Sequence, residues 1–320
     1  MEWAIHIGNA SEACAELNQS GLERFNVGSK LHPAVALAAE MAEQYFGPVK
    51  FARCVYGNEF CESLIPGPER VDEAIETARK QGLKITLVTP YVTDLGISLL
   101  RPLFDSLSKD GSDNEVVFND WGVLNLLRRD YPKLVPVQGR LMNKSLRDPR
   151  ITGVYAASSS DTPTIVTLRR SSADCESYLD LLLSMGVSTL EFDNLPQGVD
   201  FGFVNPLINA NVYIPFGFIS TSRVCMAAGL HYPKQSKFQP GARCQHECQT
   251  HMLEYTYTNS PFGNRDQRFL LKGNTYFYSH TEAMLRSMFE EAIRGRVHRI
   301  VFQPQLPMIW DDASSRTGEG

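Results

Sequence analysis

Three of the chain's seven cysteines fall in one stretch, Cys225, Cys244 and Cys248, spaced Cys-x18-Cys-x3-Cys with His246 and His251 beside them. Thiolates gathered this closely in sequence point to a shared metal or cluster, because each is a soft anionic donor. Three of them leave either a tetrahedral zinc or an iron–sulfur cubane one ligand short. The candidates for the fourth corner are Cys61, Cys54, Cys14, Cys175 and a nearby histidine. Cys14 and Cys175 sit in helical patterns beside small or apolar residues and read as buried core cysteines. Cys54 lies within a strand pattern, whereas Cys61 follows the end of it, where α/β folds place their chemistry. Cys61 is therefore preferred. Zinc sites favour paired short spacings, and a larger cluster tolerates ligands from distant segments, so a cluster is expected. A Cys3His zinc site through His246 or His251 is the alternative.

These residues need a scaffold, and the chain alternates strand and helix patterns around them. A short strand at 4–7 is followed by a helix over Pro33–Phe46, stopped by Gly47-Pro48, and by a strand over Val49–Tyr56. Helices are predicted at 71–81, 96–109, 121–131, 173–185 and 282–294. Strands are predicted at 83–92, 116–119, 134–137, 187–192, 211–218, 269–278 and 299–302. The stretch 143–171 breaks the alternation, and 220–266 reads as a long polar loop, a length that in a compact domain usually signals function. Serial βα units imply a mainly parallel sheet. About seven or eight strands over this length fit a (β/α)8 barrel as one domain over 1–310, with an open doubly wound sheet as the alternative and 311–320 as a disordered tail. Polar residues at strand exits are then candidate site residues: Glu59, Asn119, Asp120, Gln138, Arg140, Asn143 and Arg223. Arg140 and Arg223 suit a carboxylate, which a guanidinium grips bidentately. Asp120 is also placed to cap the helix that follows it.

Composition narrows the class. The chain has 320 residues, 43% apolar and 21% charged, with a net charge of −5, the profile of a globular protein with a sizeable core. Net acidity argues against a general nucleic-acid binder. The start lacks the basic region and long apolar core of a signal peptide, and no apolar run reaches membrane-spanning length, so a cytoplasmic protein with reduced thiols is expected. Neither Gly-x-Ser-x-Gly nor His-Glu-x-x-His occurs, so the usual serine elbow and zinc-protease helix are absent.

Four segments resemble peptidase family U32, most closely its ubiquinone-biosynthesis U and V branch. They are Val55-Tyr56-Gly57-Asn58-Glu59-Phe60-Cys61, Asn119-Asp120-Trp121-Gly122, Gln138 to Asn143, and Ser222-Arg223-Val224-Cys225 with Gly241 to Cys248. The similarity spans about residues 50–255. Val224 separates the arginine from Cys225, and the spacer to Cys244 is longer than in the V-like proteins. The resemblance implies a barrel-like fold and a 4Fe–4S cluster on Cys61, Cys225, Cys244 and Cys248. It further implies oxygen-independent hydroxylation of an aromatic ring with prephenate as oxygen donor, by a protein that acts alone or as a dimer with itself or a paralogue. Other readings are a non-catalytic cluster-binding partner, hydroxylation of an RNA base, and a zinc-dependent hydrolase.

Overall fold

The computed structural model describes residues 1–10, 21, 22, 25, 32–109, 113–149, 163–240, 243–256, 268–309 and 311. Eight parallel strands close into a barrel. In chain order they are β1 (Glu2–Ile7), β2 (Arg53–Gly57), β3 (Lys84–Val88), β4 (Glu115–Phe118), β5 (Val135–Gln138), β6 (Thr189–Asp193), β7 (Asn209–Ile214) and, after four further strands, β12 (Arg299–Phe302). Pairing runs β1-β2-β3-β4-β5-β6-β7-β12 and returns to β1, where Ala4 is in register with both Arg53 and Val301. This is the (β/α)8 architecture, with helices packed outside the barrel.

Local signals set the helices. Pro33 and Pro68 occupy first turns, where a missing N–H costs nothing. Asp120 caps its helix by accepting from the Gly122 amide at 2.7 Å, and Thr281 does the same for Met284 at 3.3 Å. The helix Asp94–Lys109 buries Leu100, Leu103, Phe104 and Leu107 on one stripe; each such side chain contributes roughly 1.5–3 kcal/mol of gross burial energy.

The barrel interior is layered. Alternation turns Ala4, Val55, Val88, Val117, Val137, Tyr213 and Val301 inward as a compact central layer. Beneath them lies an ionic floor. Arg299 pairs with Glu115 at 2.7 Å and Glu2 at 2.5 Å, and Arg53 reaches the same two carboxylates at 3.4 and 3.1 Å. Above them sits the fully buried Arg140.

The remaining four strands form a second, antiparallel sheet in the order β8-β11-β10-β9, from β8 (Phe216–Thr221), β9 (Met252–Thr256), β10 (Arg268–Lys272) and β11 (Thr275–Ser279). The sequence reading treats 211–218 as one strand; instead the chain leaves the barrel at Pro215, and β8 starts the new sheet. The stretch 269–278 is likewise a hairpin, and 220–266 contains β9. The sheet lies over the C-terminal mouth. The Asn274 amide donates to the Phe60 carbonyl at 2.8 Å, and the Tyr278 hydroxyl to that of Asn194 at 2.8 Å, so it touches the exits of β2 and β6. The tail expectation also changes at its first residue. Asp311 is buried and accepts from the Tyr56 hydroxyl at 2.8 Å and the Ala10 amide at 2.9 Å. Residues 312–320 and Cys14 lie outside the described residues.

Candidate metal centre

Cys61, Cys225, Cys244 and Cys248 line one pocket of about 160 Å³ at the C-terminal face. They reach it from two directions. Cys61 follows β2, and its segment is folded by Asn58, whose Oδ1 accepts from the amides of Phe60 at 2.9 Å and Cys61 at 3.0 Å. Cys225 follows β8 through Ser222, whose hydroxyl accepts from the Val224 amide at 3.2 Å. Asn274 fastens the two segments together, since its amide donates to the carbonyls of both Phe60 and Ser222 at 2.8 and 2.6 Å. Beside it Gly273 has φ +63, a conformation that favours glycine, and packs against Met308 and Cys248.

The Cys244–Cys248 turn is shaped by a residue in a rarely occupied conformation. His246 has φ +59, which is uncommon for a residue with a side chain. That turn aims its amide at Cys244 Sγ, 3.3 Å away, while its ring Nε2 lies 3.1 Å from the Ser63 carbonyl. Cys225 Sγ accepts from the Ala228 amide at 3.4 Å, and Cys248 Sγ from the Gln249 side-chain amide at 3.0 Å. Gln249 also donates to the Met308 carbonyl at 3.0 Å, which brings the C-terminal segment against the pocket.

The electrostatics of four thiols in one partly dry pocket favour a cationic guest. Burial, reinforced by the other three sulfurs, pushes the Cys61 thiol up to about 12. Burial raises Cys225, Cys244 and Cys248 as well. Four thiolates are therefore costly there unless positive charge accompanies them, as it does when metal binding displaces the protons. Four thiols on one pocket are the donor set that a cubane iron–sulfur cluster takes, so the residue types present fit that group.

The other cysteines lie elsewhere. Cys54 is buried among the outer core residues, because Val55 takes the inward position of β2. Cys175 is not a core cysteine. The helix starts at Glu176, later than its periodicity suggests, which leaves Cys175 exposed at the cap position.

The polar candidates divide into three groups. Glu59 and Arg140 meet at the top of the barrel, where Arg140 Nε and Nη2 donate to the two Glu59 oxygens and Nη1 donates to Asp193 at 2.8 Å. The Arg140 guanidinium carbon lies 3.9 Å from the Tyr213 ring centroid, and Arg147 donates to the other Asp193 oxygen at 2.9 Å. Burial raises Glu59 despite the opposing pull of Arg140. Arg140 thus has its fork engaged within the protein rather than open to a ligand. Arg223 stands on the wall of the cysteine pocket, exposed, 5.5 Å from the Tyr91 ring centroid and donating to the Val92 carbonyl at 3.3 Å. Asn119, Asp120, Gln138 and Asn143 act as braces. Asn119 joins the Thr89 carbonyl at 2.9 Å to the Leu141 amide at 3.0 Å. Gln138 points outward to the Tyr178 hydroxyl at 2.6 Å, because Val137 holds the inward position of β5. Asn143 donates to the Glu191 carbonyl at 3.5 Å. Asn58, Asn274 and Gln249 were not legible as site residues. Only Asn58, three residues before Cys61, carried a signal, as a residue type that folds turns onto its own amides.

No family profile matches the sequence, and no curated protein does. Among solved structures, the U32 peptidase Mk0906 aligns over 96% of this chain and 94% of its own, with TM-score 0.38 and 10% identity. A group IV chitinase from Ostrinia furnacalis aligns over 100% and 95%, with TM-score 0.34 and 8% identity. YKL-39 aligns over 94% and 92%, with TM-score 0.27 and 9% identity. Likenesses this weak carry no argument about activity.

Proposed function

We propose that this chain is an iron–sulfur protein that holds a 4Fe–4S cluster on Cys61, Cys225, Cys244 and Cys248. We place it in an oxygen-independent hydroxylase, either as the enzyme or as one subunit. The observation that carries the first part is the convergence of those four cysteines on one pocket, although Cys61 comes from the exit of β2 and the others from the far side of the sequence. The resemblance of the cysteine block to the U32 family supports the second part.

When bound, such a cluster supplies one-electron transfer at a potential tuned by hydrogen bonds to sulfur and by exposure. The chain's own contribution is to hold and shield it. The amides of His246 and Ala228 and the side chain of Gln249 donate to the sulfurs and favour the thiolate form. Met308 and the Gly273 turn close one side of the pocket. Arg223, at the open edge, is the group best placed to grip an anionic co-substrate such as prephenate, since its guanidinium is exposed beside the Tyr91 ring. The acceptor is then a small aromatic molecule, and a second protomer or a paralogue is the expected partner. Among the described residues no helix is long and apolar enough to cross a membrane, and the thiol-rich site suits a reducing cytoplasm.

The test is anaerobic purification followed by electron paramagnetic resonance of the dithionite-reduced protein and titration with prephenate. The reading predicts a cluster signal and prephenate binding weakened at least tenfold by Arg223→Ala. A colourless protein carrying one zinc per chain would overturn the cluster. A clustered protein that ignores prephenate, alone and with a paralogous chain, would overturn the hydroxylase.

A further inference from the structure

One wall of the cysteine pocket belongs to neither a strand nor a helix. After β12 the chain runs across the barrel mouth as residues 303–309, with Asp311 beyond them, and none of these lies in regular secondary structure. Pro304 and Pro307 stiffen the segment, since each fixes its own φ. Met308 is the residue that reaches the cysteines. It lines their pocket, is 1% exposed, and has φ +80, a conformation that a residue with a side chain seldom takes. A segment with no ladder or helix of its own, bent through such a position, stays in place because its surroundings hold it there.

The holding contacts can be followed along it. At the pocket, the Gln249 side-chain amide donates both to the Met308 carbonyl and to Cys248 Sγ, each at 3.0 Å, so one side chain joins the segment to a cysteine. Next along, Ile309 packs directly on Gly8, just past the end of β1, where no Cβ keeps it away. The far end is fastened by Asp311, whose side chain is 2% exposed. One carboxylate oxygen accepts from the Tyr56 hydroxyl at 2.8 Å and from the Ala10 amide at 2.9 Å. The other lies 3.5 Å from Nε of Arg70, on the helix Pro68–Lys80. Tyr56 belongs to β2, the strand that leads to Cys61. A buried carboxylate bonded on both oxygens holds firmly while its partners are in place, and losing one of them is costly.

We propose that the segment after β12 is a strap across the cysteine pocket and that Asp311 is its latch. With the latch engaged, Met308 and Gln249 cover Cys248. With it released, the bend at Met308 relaxes and the pocket opens on that side. Loading the pocket uses the open state, and the closed state keeps oxygen and competing ligands away from what is bound. What the strap protects rests on the four-cysteine reading above, but its cover over the thiols exists without any cluster and is measured without one.

The test is timed alkylation of the reduced, metal-free full chain with iodoacetamide, read thiol by thiol by peptide mass spectrometry. Cys175 is exposed and Cys54 is buried in the outer core, so the chain carries its own open and closed references. In the parent, Cys248 should react at least tenfold more slowly than Cys175. Losing one buried hydrogen bond shifts an opening equilibrium by about threefold to tenfold. Tyr56→Phe, which deletes one hydroxyl from the latch, should therefore speed Cys248 at least threefold, and Asp311→Ala at least tenfold, with Cys54 as protected as in the parent. Two results would overturn the proposal. One is a rise at Cys248 below threefold in every variant that folds. The other is Cys54 accelerating in step with Cys248, which would mean that Asp311 supports the barrel and latches nothing. A chain that never takes up iron would refute the cluster and leave this outcome untouched, so the two failures are told apart.

Discussion

Replacing Arg140 with methionine removes the guanidinium that pairs with Glu59 and leaves that carboxyl buried at the top of the barrel. Asp193 keeps Arg147 at 2.9 Å, so the damage falls on Glu59. Removing one partner from a buried ion pair costs about 3–5 kcal/mol, and the full burial of both groups puts this pair in that class. The loss should depend on pH in a definite direction. Burial already raises Glu59 above the ordinary carboxylate value while Arg140 pulls it down; without Arg140 it rises further. A carboxyl with a folded pKa above its unfolded value of about 4.3 holds a proton in the folded state that it loses on unfolding. Its stabilising contribution is complete below the unfolded value and is lost as pH rises through the folded one, by up to about 1.4 kcal/mol per pH unit. Arg140→Met should therefore be closest to the parent near about pH 5 and furthest from it near about pH 8. Urea unfolding followed by the fluorescence of the three tryptophans measures both points. Adding Glu59→Gln should recover most of the loss at the higher pH, because a pair removed together leaves no lone charge. A cost below about 1 kcal/mol, equal at both pH values, is what an exposed pair gives and would refute the reasoning.

Three further outcomes follow from the scaffold. Gly57 has φ +111, and a Cβ there would stand 2.4 Å from the Val88 carbonyl oxygen, so Gly57→Ala should strand most of the protein in the insoluble fraction; Gly47→Ala, with φ +71 but open space, should cost only about 1–2 kcal/mol in urea unfolding. In the barrel floor, burial acts to raise Glu115, but the hydrogen bonds and charge of Arg299, with help from Arg53, outweigh it and hold the carboxyl below its ordinary value. That contribution is present above the unfolded value of about 4.3 and disappears as pH falls through the lower folded one, so Glu115→Gln should cost about 3–5 kcal/mol at neutral pH and progressively less in acid.

The barrel was legible because its signals are local. Each βα unit repeats the same alternation of β-branched run, break and amphipathic stripe, and Arg299–Phe302 and Pro33–Phe46 are found where periodicity puts them. The second sheet was hidden for local reasons too. Pro215 interrupts the apolar run 211–218, a position proline rarely takes inside a strand, and it marks where the chain leaves the barrel. Met252–Thr256 is exposed along its whole length, so it shows no alternation to read. The position of Cys61 beside the later cysteines follows from where β2 ends. Which strand-exit residues face inward does not: Gln138 and Arg140 are two apart, yet one braces an outer helix and the other fills the barrel. The ionic floor joins Glu2, Arg53, Glu115 and Arg299, residues almost the length of the chain apart, and only the closed topology brings them together.

Cys61, Cys225, Cys244 and Cys248 are proposed to hold one cluster. This is tested most directly by counting iron and acid-labile sulfide per chain after anaerobic reconstitution, in the parent, in Cys61→Ala and in Cys54→Ala. About four of each are expected in the parent and in Cys54→Ala, with most of both lost in Cys61→Ala. Iron and sulfide that survive Cys61→Ala, or a parent chain that carries one zinc and no sulfide, would contradict it.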